Sequence, residues 1–225
     1  MTRGWTGWLL LAVLSTTAGA VDVIGFLTLG LFTAHITGNL VVVAAHYVIR
    51  GASHIGPLLA VPVFLAVVST VSVAYKAING PGHSPRRAGI AVEAMLLAGC
   101  LGLGVGLGPV ADPDSPMAVL VWMLAVAALA AQAAVMKLAI PAAPATVVMT
   151  TNITALAIEL ATLAQGGYRA DERARTGRRA GTLAVSVVGF VAGCVAGAVL
   201  ELHFGLGAMA LPVVLAASTA ALIGD

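Results

Sequence analysis

Long uninterrupted apolar runs, separated by short polar segments, constrain this chain more than any other feature. The chain is 60% hydrophobic and only 9% charged, whereas soluble domains are about a quarter charged. A core built from 225 residues cannot bury so much apolar surface, so the solvent around the chain must be lipid. Continuous rather than alternating runs favour helices over a barrel. We therefore predict an all-α, polytopic transmembrane helical bundle.

The apolar runs predict eight helical segments, two of them short. Residues 36–49 and 149–163 fall below the roughly 20 residues that a full span needs. Gly25, Gly30 and Gly38 are expected to break the chain around the start of the first short helix, and Pro141 and Pro144 before the second. A cleaved signal peptide is not expected, because the apolar stretch continues past residues 18–20. The predicted segments are 5–25, 36–49, 57–75, 88–107, 117–138, 149–163, 182–200 and 206–223.

A polar motif, T-x-x-x-T-x-N, accompanies each short segment. A shift of 113 residues superimposes the copy that begins at Thr33 on the copy that begins at Thr146. Hydroxyl and amide groups are costly in a hydrophobic environment, so a repeated cluster of them indicates a repeated structure. We therefore divide the single integral membrane domain, 1–225, into a first repeat at about 5–108 and a second at about 117–223.

Loop charge predicts how the repeats are oriented. The segments 76–87 and 166–180 are basic and the segment 109–116 is acidic, so the first two are expected in the cytoplasm. Each repeat must then make an odd number of crossings, which its short helix satisfies by entering and leaving the bilayer on one side. The prediction is two inverted-topology repeats with broken or re-entrant helices. Both termini are expected in the cytoplasm; eight full spans are the alternative.

The stretch 19–39 resembles the opening of the YoaK family of small bacterial membrane proteins. The family's early segment combines a glycine, an aspartate, two aromatic positions and a T-G-N triplet, and a later region combines glutamine with Pro–Thr–Thr. The resemblance implies a polytopic protein of the bacterial inner membrane, and it implies no substrate because the family is a domain of unknown function. The matching residues are Gly19, Asp22, Phe26, Phe32, Thr37, Gly38 and Asn39, then Gln132, Pro144, Thr150 and Thr151.

Polar residues of the two motifs are the candidate binding groups. A carboxylate in lipid is costly, so Asp22 is a functional candidate, although it could instead cap a broken helix or pair with a base such as Lys137. The start of a half-helix offers free N–H groups and a positive dipole to a polar or anionic ligand. The alternative is that these side chains only cap helices and hold neighbours together. The candidate solute or ion ligands are Asp22, Thr33, Thr37, Gly38, Asn39, Gln132, Thr146, Thr150, Thr151 and Asn152.

Further residues suggest proton transfer or packing. His35, His46 and Glu159 form a candidate proton relay, with an interfacial position as the alternative for His46. Glu93 and Lys137 are expected to be snorkelling ends or ion-pair partners. Three further groups are expected to pack: the G-x-x-x-G-x-x-x-G glycines, which could also form a dimer seam, the glycine run, and the two cysteines. These are Gly189, Gly193 and Gly197, then residues 102–108, then Cys100 and Cys194.

Together these features predict a membrane transporter for a small polar or ionic solute, coupled to protons or another cation. A channel is the nearest rival. A non-transporting binding or scaffold protein, whose polar motifs serve packing alone, is the rival from another class, and an intramembrane enzyme is the third. We expect no enzymatic activity, no cofactor, no metal and no nucleic-acid partner. The expected partners are the lipid bilayer, the solute and a second copy in a homodimer.

Overall fold

The computed structural model describes residues 2–50, 54–78, 85–108, 110, 112–167 and 169–223. These residues form eight α-helices and one 3-10 helix without a strand, which confirms the all-α prediction. The residues 79–84 of the predicted basic loop lie outside the described part. The α-helices are α1 (Thr2–Leu29), α2 (Ile36–Arg50), α3 (Ile55–Ile78), α4 (Pro85–Leu107), α5 (Pro116–Ala139), α6 (Met149–Gln165), α7 (Ala170–Phe204) and α8 (Ala210–Leu222). The 3-10 helix, Gly205–Met209, joins α7 to α8.

The longest helix, α7, corrects the prediction of a charged loop at 166–180. Its helical residues begin at Ala170 and include nearly all of the arginine-rich segment. Arginine and alanine are strong helix formers. Asp171 and Glu172 lie in the first turn, where negative charge complements the helix dipole. The backbone N–H of Arg169 also donates to the Glu172 side chain at 3.3 Å. Charge therefore extends α7 beyond its apolar part instead of interrupting it.

Gly30 ends α1, whereas Gly25 and Gly38 lie inside helices, so the prediction that all three break the chain was wrong. Gly30 has φ +66°, a conformation that glycine adopts without steric cost. A Cβ on Gly25 would lie 3.2 Å from the backbone oxygen of Leu31, and one on Gly38 would lie 2.9 Å from the ring of Phe32. The segment that follows Gly30 packs closely against Gly25 and Gly38, which explains why these two helical positions carry no side chain.

Helices α1 and α5 form the centre of the bundle. α1 packs against α7 and α8, while α5 packs against α3 and α4. α2 packs on α3, α6 packs on α7, and α4 contacts α8. The pairs of the first four helices match those of the last four. The pair α1–α7 corresponds to α5–α3, α1–α8 corresponds to α5–α4, and α2–α3 corresponds to α6–α7. An internal repeat produces such a pattern.

The glycine stripe of α7 lies directly against the backbone of α1. Added Cβ atoms at its three glycines would meet Ala12, Thr16 and Ala20 in the same order along the chain, so the two helices run parallel. The hydroxyl of Thr16 lies 3.0 Å from the backbone oxygen of Gly189, across the interface. Small residues permit this close approach. The stripe is therefore filled within the chain, by α1. Its glycines are Gly189, Gly193 and Gly197.

The two ends of the bundle differ in charge. Ile223, near the C-terminus, packs in one cluster with Leu11 of α1, Ile90 of α4 and Met136 of α5. The first turns of α1 and α4 and the last turns of α5 and α8 therefore share one end. The start of α7 lies at this end too, because α7 runs parallel to α1. Among the described residues, the basic side chains at this end include Lys76, Arg86, Arg87, Lys137 and the arginines of α7, with Asp171 and Glu172 beside them, while Asp112 and Asp114 precede α5 at the other end.

Apolar side chains also cover the outside of the bundle. Leu65 and Val73 of α3 are among many exposed large hydrophobic residues. Only 6% of the apolar stretch of α3 is buried, against 67% in α5. Such surface needs lipid as its solvent, so the protein is a multi-pass membrane protein. Five helical stretches are long and apolar enough to cross a membrane: Gly7–Leu29, Ile55–Ala77, Pro85–Leu107, Pro116–Ala139 and Ala170–Leu222.

Asp114 connects the start of α3 to the loop before α5. Its carboxylate accepts the backbone N–H of Ile55 at 2.8 Å and lies 3.0 Å from Nδ1 of His54. These bonds, the His54 bond first, hold the pKa of Asp114 below its usual range.

We expect Asp114→Asn to lower Tm at neutral pH by about 1–3 °C. Because a depressed pKa stabilises only the ionised form, the difference should vanish as pH falls through that pKa. Thermal unfolding in detergent across pH measures it, and a difference that grows with acid would contradict it.

Candidate solute site at two helix breaks

Asp22 organises the first break, the segment 30–35 that joins α1 to α2. Its Oδ1 accepts the backbone N–H groups of Thr33 and Ala34, both at 2.7 Å, and the Thr33 hydroxyl at 3.3 Å. Its Oδ2 accepts Nδ1–H of His35 at 2.7 Å. Asp22 is 4% exposed and lies two turns before the end of α1. The carboxylate therefore folds the break back along α1 and satisfies N–H groups that have no helical partner.

Asn39 holds the first break from the side of α2. Its Oδ1 accepts the backbone N–H of Phe32 at 2.8 Å, and its Nδ2 donates to the backbone oxygen of Phe32 at 2.7 Å. The buried side chain of Asn39 thus satisfies both the backbone N–H and the backbone carbonyl of Phe32. Asn39 was predicted to be a solute ligand, with capping of its own helix as the alternative; its side chain binds the backbone of a residue seven positions earlier.

Asn152 makes an equivalent bond in the second break, the segment 140–148 that joins α5 to α6. Its Nδ2 donates to the backbone oxygen of Ala145 at 2.6 Å, again seven residues earlier. The same group lies 3.2 Å from the hydroxyl of Ser186 on α7. The duplicated motif therefore corresponds to a duplicated hydrogen bond, from each asparagine to the break that precedes its helix.

Gln132 takes the place of Asp22 at the second break. Its Nε2 donates to the hydroxyl oxygen of Thr146 at 2.6 Å and to the backbone oxygen of Leu14 at 3.2 Å. Thr33 and Thr146 are both buried, but Thr33 donates to a carboxylate whereas Thr146 accepts from an amide. The two breaks therefore share their geometry and differ in charge.

A cavity of about 460 Å³ opens at the first break. Asp22 and His35 supply its polar wall, and Thr37 and Gly38 lie at the start of α2. Phe190 of α7 is 5.3 Å from the His35 ring, centroid to centroid, so the second half of the chain completes the wall. The cavity is lined by Asp22, Val23, Phe26, Phe32, His35, Thr37, Gly38, Phe190 and Cys194.

A larger cavity, about 1050 Å³, opens at the second break. Thr146, Thr151 and Asn152 line it beside the backbone of residues 142–148. Four cations also line it, one of them in an ion pair with Glu159, and no carboxylate is among its described lining residues. The arrangement favours an anion or the anionic part of a solute, because charge of one sign around a cleft concentrates its counter-ions. The cations are Lys137, Arg175, Arg178 and Arg179.

The predicted proton relay is distributed over several places. His35 lies on Asp22, whereas the ring of His46 lies 5.6 Å from that of His54, near the start of α3. Glu159 forms an ion pair with Arg179 at 3.2 Å, where α6 meets the basic part of α7. Of the other predicted ligands, Thr150 is exposed on α6, and its backbone oxygen accepts the Thr154 hydroxyl. His46 and Glu159 thus correspond in sequence but lie in different places, His46 near the start of α3 and Glu159 beside α7.

Glu93 is a functional candidate that the sequence reasoning missed. It was predicted to snorkel or to form an ion pair, but its side chain is fully buried and has no hydrogen-bond partner among the described residues. The prediction was wrong because the side of α4 that carries Glu93 faces the bundle interior. Lys137 does reach the surface. The other buried polar atoms without a partner in the described part are Nδ1 of His46, Nε1 of Trp122 and Oε1 of Gln132.

This fold and its paired breaks define a multi-pass, all-helical membrane protein with two interrupted helices. A family model described as "Protein of unknown function (DUF1275)" matches residues 10–222. The chain therefore belongs to this family, which is the YoaK family that residues 19–39 resemble. No curated protein matches, and no solved structure matches.

Proposed function

We propose that this protein transports a small polar or ionic solute across the bacterial inner membrane. The observation that carries the proposal is the duplicated break, in which each asparagine binds the carbonyl seven residues earlier beside a cavity that contains polar side chains. Interrupted helices that meet a cavity are how transporters bring polar backbone groups into the membrane. The basic cavity at the second break favours an anionic solute, or a solute with an anionic group.

The packing supports an inverted repeat in the membrane. α4 and α5 are antiparallel, because Gly89 lies against Val135 and Gly104 against Val121. α2 starts beside Asp22, two turns inside α1, and ends near the loop of Asp114. It would therefore enter and leave on one side, as would α6 at the other end. With six crossings, the positive-inside rule favours a cytoplasmic position for the basic end and for both termini.

A packing role is the second candidate, and one observation favours it. The carboxylate of Asp22 accepts four hydrogen bonds from the first break, and Asn39 satisfies both backbone groups of Phe32. These side chains have partners without any ligand. Under this reading the breaks are rigid structural joints of a membrane scaffold, and neither cavity is a solute pathway.

Cysteine accessibility in intact membranes distinguishes the two candidates. Thr37→Cys and Thr151→Cys place thiols on exposed cavity-lining residues. Gly38 is unsuitable because a side chain there would meet Phe32. Cys100 and Cys194 are first replaced by alanine, since Cys194 lines the first cavity. Transport predicts that a water-soluble maleimide labels Thr37→Cys from outside and Thr151→Cys from inside.

Val188→Cys is the matched control, because Val188 is an exposed apolar residue on α7 and should face lipid. It should stay unlabelled by the charged reagent and react with a lipid-soluble one. Protection of both cavity positions from the charged reagent, on both sides and with solutes present or absent, would contradict transport. The labelled variants can then be screened in proteoliposomes against carboxylates, phosphates and inorganic ions.

A further inference from the structure

Glu93 lies deep in the bundle, and the described part of the chain gives it neither a counter-ion nor a hydrogen bond. It is eight residues beyond the start of α4, which is about 12 Å along the helix. Its exposure is 0%, and neither carboxyl oxygen has a partner in the described residues. An ionised carboxylate left this way costs several kcal/mol. The opposite case is Asp22, whose oxygens accept four hydrogen bonds.

The register of α4 against α5 brings Glu93 and Gln132 to one level of the bundle. Gly89 lies against Val135, and the helices are antiparallel. One turn further along α4 is Glu93, and three residues back along α5 is Gln132. The Oε1 of Gln132 is also buried without a donor. The two carboxyl oxygens of Glu93 and the Oε1 of Gln132 thus have no donor among the described residues, because the Nε2 group of Gln132 already donates to Thr146 and Leu14. A carboxyl that keeps its proton supplies the missing donor.

The surrounding helices offer Glu93 no positive charge. α8 and the 3-10 helix carry no titratable side chain. Lys137 is the one cation of α5, and it is exposed at the basic end. On α1 the carboxylate of Asp22 is bonded to the first break. The remaining titratable groups of α3 and α4 with described side chains are Tyr75, Lys76, Arg86, Arg87 and Cys100, and none of them forms a hydrogen bond with Glu93.

We propose that Glu93 is a buried proton-binding site, and that its proton is the one coupled to solute movement. The second clause rests on the proposed transport function, whereas the first does not. Gln132 connects the site to the second break, since its Nε2 holds Thr146. Loss of the Glu93 proton would place a negative charge at the level of the Gln132 oxygen. The amide would turn its N–H groups toward the carboxylate and release Thr146, which loosens the break.

Reaction with a lipid-soluble carbodiimide tests the proton-binding site without any transport assay. The reagent takes the proton of a neutral carboxyl on its nitrogen while the carboxylate oxygen bonds to its central carbon, and the adduct rearranges to a stable N-acylurea. Purified protein in lipid nanodiscs is treated at neutral pH and mapped by mass spectrometry. A solvated carboxyl is more than about 99% ionised at pH 7, so we expect Glu93 to be labelled at least about tenfold more than the exposed Glu172.

Glu93→Gln is the matched variant, because it keeps the shape and removes the acid. It should lose the adduct, and it should also lose the infrared carbonyl band of a protonated carboxyl at neutral pH. Persistence of that band in Glu93→Gln, together with no labelling of Glu93 in the wild type, would overturn the proton-binding site. In proteoliposomes Glu93→Gln should exchange solute but fail to concentrate it under a pH gradient. Unchanged accumulation would overturn the coupling alone, and absence of flux in the wild type would count against the transport function instead.

Discussion

Asp22→Ala is expected to lower the free energy of unfolding by about 3–5 kcal/mol. The substitution removes the acceptor of two buried backbone N–H groups, those of Thr33 and Ala34, and leaves His35 without its partner. The measurement is equilibrium unfolding in mixed detergent micelles, followed by circular dichroism.

Two variants show whether the loss comes from the bonds to the break. Asp22→Asn keeps one carbonyl oxygen for the two N–H groups, so we expect it to lose about 1–2 kcal/mol. Thr37→Ala changes an exposed residue of the same cavity without a recorded side-chain hydrogen bond, and should stay within about 0.5 kcal/mol of the wild type. An Asp22→Ala protein as stable as Thr37→Ala would show that the break does not depend on this carboxylate.

Gly193→Leu is expected to destabilise the fold by at least about 3 kcal/mol, because α1 and α7 must separate. A Cβ at this position would overlap the backbone oxygen and carbon of Thr16. Backbone atoms of a packed helix cannot move aside as a flexible side chain can. Separation would also move Phe190 and Cys194, which lie on α7 in the wall of the first cavity. Unfolding in detergent gives the stability, and labelling of Cys194 reports the change in that wall.

Gly102→Leu is the control for this prediction. Gly102 lies in α4 with nothing within 4 Å of an added Cβ, so the larger side chain would face lipid. Leucine favours the helix over glycine by about 0.8 kcal/mol, and the variant should be as stable as the wild type or slightly more so. Equal effects of the two substitutions would contradict the close packing of the glycine stripe.

Sequence patterns predicted the helices well because the hydropathy of each run decides whether it lies in lipid. They predicted both breaks from Gly30 and from Pro141 and Pro144, whose backbone constraints are local. They failed at the start of α7, where arginines suggested a loop. At this point the helix propensity of arginine and alanine and the capping bond of Glu172 stabilise a helix, although the high charge of the segment had suggested a loop.

The partners of the polar residues could not be predicted in the same way. The bond from Asn39 to Phe32 requires the chain to reverse, which a helix-cap pattern does not reveal. The burial of Glu93 was still harder to predict from the sequence. In the sequence it lies near the start of a span, where a carboxyl can reach the surface. Only the packing of α4 against α5 and α8 shows that its side of the helix is covered.

The parallel contact between α1 and α7 has a consequence for how the protein is made. Thr16 and Gly193 touch, yet 176 residues separate them along the chain. A ribosome adding about 5–20 residues per second needs roughly 9–35 s to synthesise that interval. During this time the newly inserted first helix carries Asp22 in the membrane without Phe190 and Cys194 beside it. The face of the first helix that Gly189, Gly193 and Gly197 later cover is therefore without its partner until the seventh helix has been made.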